Sequence, residues 1–87
     1  MKAYVLIKTA GGKEDEVLRR LLSLSTVEEA HKVFGQYDIV AEVRGRDMET
    51  IVEIVTARIR KIDGLLDTHT LLVVDPEIDM ASSSLAS

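Results

Sequence analysis

Asp38 closes the segment Gly35-Gln36-Tyr37-Asp38, and Thr68 and Thr70 stand two residues apart further along the chain. A carboxylate at a turn can pair with a ligand cation or bond nearby backbone N–H groups, and the second use is the ordinary one for Asp. Threonines at this spacing share one face of a strand. Their hydroxyls both donate and accept, although Thr is also a good strand former without any further role. His31 and His69 fall on different strand-like runs, without the close carboxylate or second His that would make a triad or a metal set. They are expected to be solvated or interface residues.

The other chemistry-bearing patterns are absent. There is no cysteine, which removes disulfides, thiolate metal sites and Cys nucleophiles together and fits a reducing cytosol. Thr9-Ala10-Gly11-Gly12 lacks the Cys pair of a soft-metal carrier. It also lacks the Arg and Asn with which an acylphosphatase-like enzyme would clamp phosphate and orient water. Gly11-Gly12 before a helix could cradle an anion, but without a fuller glycine motif and its Lys it reads as a plain turn. The sequence therefore calls for no catalytic residue, metal or cofactor.

A formal charge of −4 with no Lys/Arg cluster argues against direct nucleic-acid binding. The three aromatics, Tyr4, Phe34 and Tyr37, do not form a base-stacking platform. The run from Ala3 to Ile7 is too short for a signal peptide or a membrane span, so a cytoplasmic location is expected. No Asn and a single Gln, beside abundant Glu, Lys and Arg, match the bias of heat-adapted proteins.

These residues have to be positioned by a small scaffold. The 87 residues fit one domain with a thin core, which self-association would help to cover. Ala3-Tyr4-Val5-Leu6-Ile7 is apolar on both alternating faces, as in a central strand. Acidic residues Glu14, Asp15 and Glu16 open a first helix with an apolar stripe of Val17, Leu18, Leu21 and Leu22. The charge-rich run from Thr26 to Phe34 reads as an edge strand, and Gly35-Gln36 as a two-residue type II′ hairpin. Ile39, Ala41 and Val43 alternate in a third strand. Asp47 caps a second helix whose buried stripe is Met48, Ile51, Val52, Val55, Ile59 and Ile62, with Gly64 at its C′ position. Leu65 to Val74 forms the last strand, stopped by Asp75-Pro76.

The order β-α-β-β-α-β predicts an α+β, ferredoxin-like fold: a four-stranded antiparallel sheet with two helices on one face. Residues 1–76 form that domain, and residues 77–87 read as a flexible tail. Strands one and three should be central. The uncovered sheet face still carries apolar groups such as Tyr4, Leu6 and Val40, which predicts a homodimer formed sheet to sheet.

The run from Val33 to Val43 (VFGQYDIVAEV) resembles the central signature of the ligand-binding RAM domain of Lrp/AsnC feast/famine regulators. Asp67-Thr68-His69-Thr70 before an apolar strand resembles that family's last strand. The similarity spans roughly Met1 to Pro76, and because the chain starts at the first strand it resembles the stand-alone form without a DNA-binding helix-turn-helix. The resemblance implies dimers that assemble further into rings and bind amino acids where dimers meet. It also implies an effect on transcription or metabolism exerted indirectly, by joining a full-length relative. On that reading Asp38 takes the ammonium and backbone N–H groups around Gly35 the carboxylate, while Tyr37 walls the site and Thr68 and Thr70 add hydroxyls. The alternatives are a dimeric α/β-barrel enzyme, such as a cofactor-independent monooxygenase with His31 or His69 in an internal pocket, and a purely structural oligomerisation module.

Overall fold

The computed structural model describes residues 1–74, so the expectations for Asp75-Pro76 and for the 77–87 tail lie outside the described residues. The elements run β1 (Lys2–Thr9), α1 (Glu14–Leu22), β2 (Val27–Lys32), β3 (Ile39–Arg44), α2 (Met48–Ile54) with a π-helical turn over Val55–Ile59, and β4 (Leu65–Leu72). The strands form one antiparallel sheet in the order β2-β3-β1-β4. This is the ferredoxin-like arrangement with β1 and β3 central. Among the described residues no helix is long and apolar enough to cross a membrane.

Strand alternation decides which side chains enter the core. Ala3, Val5 and Ile7 of β1 face the helices with Ile39, Ala41 and Val43 of β3, and all six are fully buried. Val17 and Leu21 of α1 and Ile51 and Ile59 from the second helical segment close over them. Each fully buried Leu, Ile or Val contributes about 1.5–3 kcal/mol of transfer free energy, so this aliphatic layer is the main source of stability. The residues of opposite parity, Tyr4, Leu6, Val40 and Glu42, lie on the uncovered face.

Three local expectations are corrected. The β2–β3 connection is no two-residue turn: Val33 N–H bonds the Asp38 carbonyl at 2.9 Å, which leaves four residues in the loop. Asp38 causes this, because its own N–H is drawn to the Ile7 carbonyl of β1 at 2.8 Å. Gly35 keeps a left-handed φ of 145°, outside the geometry a type II′ turn requires.

In the helices the apolar stripes are narrower than their periodicity suggests. Leu22, Met48 and Val52 are about half exposed, and Ile54 is buried instead. The cap at Asp47 is as read, with its Oδ1 accepting from Thr50 N–H at 2.8 Å. Beyond it the helix widens into the π turn, where Arg60 N–H reaches the Val55 carbonyl at 2.9 Å.

Gly64 lies past the helix end rather than at C′. Its φ is 93°, and a Cβ there would come within 2.9 Å of Lys13 Cβ. Its carbonyl accepts from Ala10 N–H at 2.8 Å, which fastens the β1–α1 turn to the start of β4.

Candidate functional site

Asp38 is held by the end of β1. Its Oδ2 accepts from Thr9 N–H at 2.8 Å and from Thr9 Oγ1 at 3.3 Å, and Thr9 is buried. The carboxylate thus stitches the hairpin to the strand in the partly buried seam between them, where hydrogen bonds to a charged acceptor are strong. Its other oxygen, Oδ1, makes no hydrogen bond within the described residues.

The rest of the hairpin leans over the open sheet face. Lys8 Nζ donates to the Gln36 carbonyl at 3.1 Å. The Tyr37 ring is tilted at 49° to the His69 ring, with centroids 6.2 Å apart. Among the described residues nothing approaches the position of a Gly35 Cβ within 4 Å, so they leave the space beside that glycine open. Phe34 at its tip is fully exposed.

Thr68 and Thr70 are on the other side of the sheet. Thr68 pairs with buried Ile7 and Thr70 with buried Val5, so both face the helical layer while His69 between them faces outward. There they line a groove of about 290 Å³ with Val52, Val55, Thr56, Arg60 and Leu72. The five predicted residues therefore fall into two groups within one chain: Gly35, Tyr37 and Asp38 at the hairpin, and Thr68 and Thr70 beyond the β1–β4 ladder.

Sequence reasoning did not bring Thr9, Lys8 and His69 to the hairpin, although it expected His69 to be a solvated or interface residue, and it did not single out Arg60. The first three follow once β1 is paired with β3 and β4. Arg60 depends on the π turn, for which the sequence gives no signal.

The open face carries a row of cross-strand neighbours, His31, Val40, Leu6 and His69, set by the register. Beside it Lys2 Nζ lies 3.1 Å from Glu42 Oε1, and the Lys2 ammonium holds the Glu42 carboxyl below the usual carboxylate range. His31 does have a close carboxylate, contrary to expectation, because Glu29 shares its face two residues earlier; Nε2 and Oε1 are 3.1 Å apart. Both histidines are exposed on the uncovered face. Neither lines a pocket between sheet and helices, where the enzyme alternative would need it.

The family model described as "Lrp/AsnC ligand binding domain" matches residues 2–81. The chain belongs to the Lrp/AsnC ligand-binding domain family. It is 31% identical over 72 residues to the HTH-type transcriptional regulator FL11 of Pyrococcus furiosus, covering 83% of this chain and 47% of that one. The chain thus spans about half the length of the curated relatives it matches. The crystal structure of TTHA0845 from Thermus thermophilus superposes with a TM-score of 0.81 at 35% identity, covering 86% of this chain and 94% of that one. A feast or famine regulatory protein from M. tuberculosis, in complex with L-methionine, shares the fold at 22% identity, with a TM-score of 0.73 over 86% of this chain and 50% of that one. Relatives of this Lrp/AsnC domain are thus named as transcriptional regulators, and the hairpin and last strand described above both lie within the matched residues.

Proposed function

We propose that this domain is an effector sensor that binds an amino acid at a boundary between copies of the chain and acts through its assembly. A zwitterion taken out of water needs a partner for each charge. On this reading Asp38 Oδ1 accepts the ammonium, and the open backbone around Gly35 to Tyr37 offers N–H groups to the carboxylate. Tyr37 walls the site, and Thr68 and Thr70 arrive from a neighbouring copy. The observation that carries the reading is the Asp38 carboxylate, fixed through Oδ2 on Thr9 with Oδ1 left over, in a domain whose family binds ligands.

Copies first pair through the open sheet face into a homodimer, and dimers join into a ring. A ligand bound between dimers stabilises the assembled state by mass action. The assembled domain regulates transcription or metabolism indirectly, by co-assembling with a full-length relative, and it performs no catalysis of its own.

The test is a thermal-shift and sizing screen against the twenty amino acids, with Asp38→Ala and Asp38→Asn as variants. Asparagine keeps an oxygen for Thr9 but loses the charge. The expected result is a ligand-dependent rise in Tm and in assembly size that Asp38→Asn abolishes. No response to any amino acid, or an equal response in Asp38→Asn, overturns the reading. The Asp38–Thr9 bonds favour a second one, in which Asp38 is purely structural and the domain only oligomerises; that reading requires the screen to be silent.

A further inference from the structure

The groove between α2 and β4 has a chemistry distinct from that of the hairpin. Its lining of Val52, Val55, Thr56, Arg60, Thr68, Thr70 and Leu72 comprises one cation, three hydroxyls, three aliphatic side chains and no carboxylate. The Thr56 hydroxyl is engaged, donating to the Val52 carbonyl at 2.8 Å. The donors left for a ligand are the Arg60 guanidinium and the hydroxyls of Thr68 and Thr70. Among the described residues none of the three makes a side-chain hydrogen bond or an ion pair.

The π turn produces this arrangement. Arg60 N–H reaches back five residues to Val55 rather than four, and the wider turn brings Arg60 nearly into line with Val52 and Thr56 instead of past them. Single π turns of this kind are frequent at functional sites. Val52, half exposed, and Leu72, about one-third exposed, form an apolar wall that the other described residues leave open.

We propose that this groove binds a small monocarboxylate with a branched aliphatic tail, of the 2-oxo or 2-hydroxy acid class. The planar guanidinium of Arg60 matches a carboxylate with two parallel N–H donors. The hydroxyls of Thr68 and Thr70 satisfy the remaining oxygens, and the tail lies on Val52, Val55 and Leu72. The volume of about 290 Å³ is at the bottom of the range of about 300–1,000 Å³ usual for ligand pockets, which limits the ligand to a small one. Within the groove of one copy an amino acid fits less well, because its ammonium would sit near Arg60 with no acidic side chain in the lining to receive it. The groove shares Thr68 and Thr70 with the amino-acid site proposed above but uses Arg60 in place of Asp38, so the two readings can fail separately.

The experiment is a titration of the full chain, followed by ¹H–¹⁵N correlation spectra, with 4-methyl-2-oxopentanoate and with L-leucine, on wild type, Arg60→Gln and Asp38→Asn. Arg60 is exposed at a helix end, and unchanged spectral dispersion shows that Arg60→Gln folds. The oxo acid is expected to give saturable shifts at Thr68, Thr70 and residues 52–60, with affinity about tenfold or more weaker in Arg60→Gln and unchanged in Asp38→Asn. L-Leucine should bind there at least about tenfold more weakly than the oxo acid. No saturable shift in the groove, equal affinity in Arg60→Gln, an equal loss in Asp38→Asn, or leucine binding there as tightly as the oxo acid would each overturn the proposal. Silence of every amino acid at the hairpin would leave it standing.

Discussion

At the scale of the residue, Asp38 shows how one side chain can serve the fold and still be available to a ligand. Its backbone closes the hairpin on Val33 and donates to Ile7, and one carboxylate oxygen takes both donors of Thr9. Removing that acceptor leaves a partly buried N–H and hydroxyl unsatisfied, so Asp38→Ala should cost about 1–3 kcal/mol in urea unfolding. Asp38→Asn retains a neutral acceptor and should lose about half as much, since charge-assisted bonds are roughly twice as strong as neutral ones. Equal stability of wild type and Asp38→Ala would show that the Thr9 bonds contribute nothing. The sequence marked Asp38 as notable but could not say which of its oxygens is occupied. Its Thr9 partner is 29 residues away and meets it only when β1 and β3 pair. Thr68 and Thr70 were rightly placed on one face, but the face itself depended on register: pairing with Ile7 and Val5 sends them to the helical side.

At the scale of the element, the strands were legible because alternation alone distinguishes their faces, and Ile39, Ala41 and Val43 are buried as their pattern requires. The helices were less so. A strict α-helical period assigned Met48 and Val52 to the core, whereas α2 turns Ile54 inward and then widens. The N-terminus of α2 was readable from Asp47, whose cap on Thr50 is local. The hydroxyl and N–H of Thr50 hold the Asp47 carboxyl below its ordinary range. A carboxyl lowered on folding stabilises the native state above its unfolded value, about 3.9, and that contribution is lost as pH falls through the lower folded value. Glu42 beside Lys2 and Asp15 beside Lys32 are lowered in the same sense. Stability should therefore fall on acidification below about pH 4. Asp47→Ala should melt below wild type at neutral pH, and the gap between the two should narrow toward about pH 2. Thermal melts across that range provide the check; a gap independent of pH would detach the cap from the acid response.

For the molecule as a whole, the consequence of the fold is a sheet face that the other described residues leave uncovered. One layer of helices shields one face, and the other presents Tyr4, Leu6, Val40 and Leu71 amid the Lys2–Glu42 and His31–Glu29 pairs. An apolar centre with a charged rim is the anatomy of an interface, and its neighbours in the row, His31 and His69, have the mixed character that such rims tolerate. Leu6 lies at the centre, between Val40 and His69, and is only partly buried in the single chain. Leu6→Glu should leave the far-UV spectrum intact while placing two unpaired carboxylates where the copies meet. Leaving a charge uncompensated at a buried site costs about 3–5 kcal/mol, so dimer affinity should fall by about a hundredfold or more. Sedimentation at micromolar concentration would then show the variant as monomer and wild type as dimer or larger. Identical sedimentation of the two would exclude the open face as the primary contact and leave the hairpin, with its exposed Phe34, as the surface through which copies first meet.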